Sequence, residues 1–100
     1  METPSLLEKA NKWLNKWTYD LSFIDTRTLL AAFMEGFRYS LAEKIQNEKR
    51  IDWMEYKEKS IKAYQKGIDW VQEYNEKYLG NFFTRGCVIS AYIQGLTLNI

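Results

Sequence analysis

Pro4 is the chain's single proline and its five glycines are scattered, so after the fourth residue nothing forbids helix over long stretches. Chains built of strands carry more Gly, Pro and Asn-Gly turns. Apolar residues recur at three- and four-residue steps along most of the sequence. The expected fold is all-α: a small up-and-down bundle of about four helices with a long central third helix. The 100 residues fit one helical domain, residues 1–100.

Local signals divide the chain. Thr3 and Pro4 offer a hydroxyl cap and a first-turn proline, and Leu6, Ala10, Trp13, Leu14, Trp17 and Leu21 then share one arc of a helix expected to end near Asp20. Ser22, Asp25 or Thr26 caps a second helix, reaching about Asn47, with Leu29, Leu30, Phe33, Met34, Phe37, Leu41 and Ile45 on one face. Arg38, Tyr39, Glu35 and Glu43 fall on its other side. Asp52 with Glu55 reads as a capping box, and Ile51 with Tyr56 as a hydrophobic staple, which predicts a turn before a third helix over Trp53 to Leu79. Gly80 ends that helix. Asn81 caps a fourth carrying Phe82, Ile89, Ile93 and Leu96 on one face, flanked by Gly86 and Ser90 as small contact residues. Its β-branched residues suit a strand too, but its apolar positions lack a period of two. The residues after Gly95 read as a tail.

The third helix carries two apolar rows. Met54, Lys57, Ile61, Tyr64, Ile68, Val71, Asn75 and Tyr78 follow a heptad seam. Beside it run Trp53, Tyr56, Ser60, Ala63, Gly67, Trp70 and Tyr74, small in the middle, where another helix can approach closely. Both rows together cover about half the circumference, more than one partner helix needs. If only the seam packs internally, Trp53, Tyr56, Trp70 and Tyr74 project outward as aromatic anchors. If both rows are inside, they are core.

Composition excludes several kinds of chemistry. With no histidine, His-based triads, His-ligated zinc and the usual neutral-pH proton shuttle are absent. Cys87, the lone cysteine, can form neither an internal disulfide nor a thiolate cluster, which suggests a reducing, cytoplasmic setting. An apolar helical position should raise its thiol pKa and leave it an inert core residue. Glu55 with Glu58, and Glu73 with Glu76, have the Glu-x-x-Glu spacing by which some all-α nucleotide-cleaving enzymes bind magnesium. Here both pairs fall on one helix about 27 Å apart. Interleaved Lys59, Lys62 and Lys66 suit a solvated face of i, i+4 pairs instead. No phosphate loop is present. Neither a catalytic residue, a metal site nor a cofactor is expected. The N-terminus lacks the pattern of a secretory signal, and the uncharged run after Arg85 is short of a membrane span.

The expected function is therefore binding without catalysis. Aromatic residues make up 16% of the chain, and Tyr and Trp are enriched in interface hot spots. The favoured reading is a protein-binding module whose candidate contacts are Trp53, Tyr56, Trp70 and Tyr74. By analogy of size alone, it could be a stoichiometric inhibitor or adaptor, as phage and mobile-element proteins that block host enzymes are. A homodimer or self-assembling structural subunit is the second form, since a heptad seam suits a copy of itself. The alternative is a nucleic-acid surface made by Lys9, Lys12 and Lys16 with Trp13 and Trp17. The net charge of +1 gives that alternative little long-range support.

Overall fold

A computed structural model of the chain describes residues 5–16, 24–48, 52–78 and 83–98. Four α-helices and no strand occur among them: α1 (Leu6–Asn15), α2 (Thr26–Glu48), α3 (Trp53–Tyr78) and α4 (Arg85–Leu96). The all-α bundle is as expected, and the last segment is helix.

Each helix starts on a local cap. Ser5 accepts a hydrogen bond from Glu8 N at 3.2 Å and opens α1, downstream of the expected Thr3 and Pro4, which lie outside the described residues. For α2 the cap is Asp25, whose Oδ1 accepts from Thr28 N at 3.0 Å and from the Thr28 hydroxyl at 3.1 Å. Those bonds, the largest being the backbone one, with Arg27 beside it, hold the Asp25 carboxyl below its ordinary pKa. Asp52 caps α3 through Met54 N and Glu55 N, at 3.0 and 3.3 Å. Glu55 does not close the expected box; its carboxylate pairs with Lys59 at 2.9 Å. Thr84, in extended conformation, stands at the start of α4, while the expected cap Asn81 lies outside the described residues, as do Ile51, Gly80 and Phe82.

Helix α1 stops at Asn15, with Lys16 turning the chain, earlier than the expected Asp20. The Lys16 N–H closes the last turn on the Trp13 and Leu14 carbonyls, and residues 17–20 of the expected helix lie outside the described residues.

The packing centre also differs from expectation. Helix α3 is the longest, at 26 residues, but the principal pair is α2 with α4. Helix α3 packs chiefly on α2, and α1 packs on α4. The cause is a pair of glycines. A Cβ on Gly36 would overlap the Tyr92 carbonyl oxygen, and a Cβ on Gly95 would overlap the Phe33 carbonyl oxygen. The two backbones thus touch where a side chain would hold them apart. Gly95, read as the edge of a tail, is the buried contact. Gly86, read as the contact, is exposed and meets nothing closer than Thr84 Oγ1 at 3.5 Å. The buried face of α4 is accordingly Val88, Ala91, Tyr92 and Gly95, about one residue around from Ile89, Ile93 and Leu96, which are half-buried at its edge. Leu29, Ala32, Phe33, Met34, Phe37 and Leu41 of α2 complete the core with Ala10, Leu14, Ala63 and Val71.

Candidate functional site

On α3 the two rows take opposite fates. Ala63 is fully buried and Gly67 packs on α2, where a Cβ would sit 2.9 Å from Leu30 Cδ1 and Phe33 Cδ1. Small residues at the crossing draw their own row inward. Tyr56, Trp70 and Tyr74 follow it and lie half-buried against the core. Trp70 stacks on Tyr74 with centroids 4.8 Å apart, and tilted contacts at 6.1 Å join Phe33 to Trp70 and Tyr74 to Phe83. Among the expected partner contacts, Tyr56, Trp70 and Tyr74 therefore spend much of their surface inside the molecule. Trp53 remains 70% exposed, touching Tyr56 edge-on at 6.0 Å.

The N-terminal half of the heptad seam is what faces solvent. Met54 is 69% exposed, Ile61 52% and Tyr64 49%. Only toward the C-terminal half does the seam turn in, at half-buried Ile68 and buried Val71. With Trp53, the exposed residues make an apolar strip over the first three turns of α3. The sequence showed both rows; which one turns inward depends on the close approach at Ala63 and Gly67.

A second feature lies between α1 and α2, which do not pack directly on each other. The gap is an open cleft of about 520 Å³ lined by Glu8, Lys9, Lys12, Trp13 and Lys16 of α1 and its cap, Tyr39 of α2 and Tyr92 of α4. The cleft thus gathers the expected cationic stripe and one of its two tryptophans. Trp17 lies outside the described residues. Lys9 bridges to Glu43 of α2 at 3.7 Å. Glu43 also accepts a hydrogen bond from the Tyr39 hydroxyl, which, with some burial, raises the Tyr39 pKa. At the floor, Tyr92 stacks on Trp13 with centroids 4.1 Å apart and 15° between planes. Burial, reinforced by Tyr39, Glu35 and Glu43, pushes the Tyr92 pKa to about 12, so its hydroxyl remains a neutral donor. Neither Tyr39 nor Tyr92 was singled out from sequence, where nothing couples them to Trp13.

Cys87 departs from expectation. Burial opposes its ionisation, but hydrogen bonds from Tyr74 and from the Thr84 backbone N–H, the latter at 3.4 Å, outweigh that and set its pKa below the ordinary thiol value. It sits in the first turn of α4, where unpaired N–H groups favour an anion. The paired glutamates lie along one unbroken α3, and no group of three or more His, Cys, Asp or Glu among the described residues could hold a metal ion. No described helix is long and apolar enough to cross a membrane.

Comparison of the chain with family models, with curated proteins and with solved structures returns no match.

Proposed function

We propose that the chain acts stoichiometrically, as a binding protein that docks another protein on the outer face of α3. What carries this reading is the strip of Met54, Ile61 and Tyr64 at heptad spacing with Trp53 beside it, each about half exposed or more, on one helix. Single exposed apolar residues are ordinary; four large ones in register on one helix are the usual form of a helix-pairing surface. Covering them returns about 1–2 kcal/mol per side chain, the scale of an interface anchor. The partner that fits is an amphipathic helix presenting its own apolar stripe. An inhibitor or adaptor works in this way, by occlusion, and calls for no reactive group.

The test is affinity capture from a source lysate with the wild-type chain and with Ile61→Asp, alongside light scattering of the purified protein. A protein retained by the wild type and lost by the variant, at an unchanged melting temperature, supports the reading. Equal retention by both contradicts it. A concentration-dependent dimer abolished by Ile61→Asp makes the partner a second copy. Retention of nuclease-sensitive material alone shifts the function to the lysine stripe.

A further inference from the structure

We propose that the cleft between α1 and α2 binds a small planar aromatic anion of the nucleoside monophosphate kind. The site is separate from the α3 strip and does not depend on it.

Its volume of about 520 Å³ falls within the range of small-molecule sites, about 300–1,000 Å³. The floor supplies the most specific sign. Tyr92 is 1% exposed, yet it lines the cleft, and its hydroxyl has no hydrogen-bond partner among the described residues. The hydroxyl is not sealed off: no side-chain oxygen or nitrogen among the described residues is both fully buried and without a partner, so this one is reached by water through the cleft. This donor opens onto the cleft, so a ligand acceptor seated there would take the place of that water.

The rim sets the charge. Lys9 is committed to Glu43, whereas Lys12 and Lys16 make no ion pair among the described residues. Lys12 stands in the last turn of α1 and Lys16 is the helix's C-cap, four residues on, and both line the cleft. Glu8 also lines the cleft, so three cations face two carboxylates, Glu8 and Glu43. The surplus is one positive charge, since Glu35, which also acts on Tyr92, is matched by Arg38. It does not suit a run of phosphates, which argues against a nucleic-acid strand.

The walls set the shape. Tyr39 is 46% exposed and lines the cleft together with Trp13, which puts two aromatic rings on its walls. Flat rings of this kind take a nucleobase by stacking, worth about 1–3 kcal/mol. The Glu8 carboxylate can accept from an exocyclic amine or a ribose hydroxyl. A phosphate for the lysines, a ring for the aromatic wall and donors for the carboxylate occur together in a nucleoside monophosphate.

The test is an NMR titration of the full chain with adenosine 5′-monophosphate, reading the Trp13 indole N–H and the Tyr39 ring. Adenosine, inorganic phosphate and a single-stranded oligothymidylate serve as separate arms. Saturable shifts at Trp13 and Tyr39 are expected, with tighter binding than adenosine or phosphate alone. The affinity should fall less than about tenfold over a fourfold rise in salt. Lys12→Gln with Lys16→Gln should weaken binding about tenfold at unchanged fold, and Tyr92→Phe by a similar factor, while Trp53→Ala leaves it unchanged. Absence of saturable shifts, equal binding of phosphate alone, or indifference to the lysine substitutions would overturn the proposal. So would much tighter, steeply salt-dependent binding of the oligonucleotide.

Discussion

The indole of Trp13 lies flat on the ring of Tyr92, with centroids 4.1 Å apart and 15° between planes. This stack, with buried Ala10 and Leu14, fixes α1 to α4. The polar links at the edges of α1 are weaker: the Lys9–Glu43 pair at 3.7 Å, partly exposed, and the bond from Arg85 Nη2 to Asn15 Oδ1 at 2.9 Å. Trp13→Ala should therefore cost about 2–3 kcal/mol and release α1, whereas Lys9→Ala should cost under about 1 kcal/mol. Urea melts of the two variants check this.

The α2–α4 crossing makes a sharper demand. Gly95→Ala, or Gly36→Ala, drives a Cβ into the backbone of the opposite helix and should cost about 3 kcal/mol or more. Gly86→Ala meets open space on the same helix as Gly95 and should be neutral or raise stability by up to about 1 kcal/mol, since alanine is the better helix former. Thermal denaturation of the three variants separates a packing requirement from a general aversion to substitution.

Trp70 and Trp53 should respond in opposite ways. Trp70 bridges Phe33 and Tyr74, so Trp70→Ala should cost about 2–3 kcal/mol, roughly 10–20 °C in melting temperature for a chain of this size. Trp53 is 70% exposed, and Trp53→Ala should remain within about 0.5 kcal/mol of wild type. Calorimetry on both variants reads the difference directly.

The Cys87 thiol gives a pH-dependent signature. Its pKa is lowered in the folded state, so the fold favours the thiolate. The linked stability is full above the unfolded thiol pKa, about 8.5, and is lost as pH falls through the lower folded value. Alkylation of the native protein by iodoacetamide should accordingly reach half its plateau rate below that pH. Tyr74→Phe removes the hydroxyl bonded to the sulfur and should move the midpoint upward. A midpoint unmoved by Tyr74→Phe would deny that hydroxyl its role.

Helix content and helix starts were legible because they are local. Asp25 and Asp52 cap the helices they stand before, and the spacing of Leu29, Phe33, Phe37 and Leu41 places them on one buried face. What could not be read was the rotation of each helix about its axis. Periodicity reveals two apolar rows on α3 without saying which one meets α2; that is decided by how closely Ala63 and Gly67 let α2 approach. The same holds for α4, where Gly95 rather than Gly86 allows contact because Gly36 lies opposite. The cationic stripe was visible in Lys9, Lys12 and Lys16, but the cleft needed Tyr39 and Tyr92 from two other helices. The lowered Cys87 pKa depends on Tyr74, thirteen residues away along the chain.

Hydroxyl-radical footprinting of the free protein, read residue by residue by mass spectrometry, asks which side of α3 meets water. Trp53, Met54 and Tyr64 should be oxidised much faster than Trp70 and Tyr56, after correction for the intrinsic reactivity of each side chain. Protection of Trp53 and Met54 with rapid oxidation of Trp70 and Tyr56 would mean that the helix is turned the other way, and the docking strip would have to be abandoned.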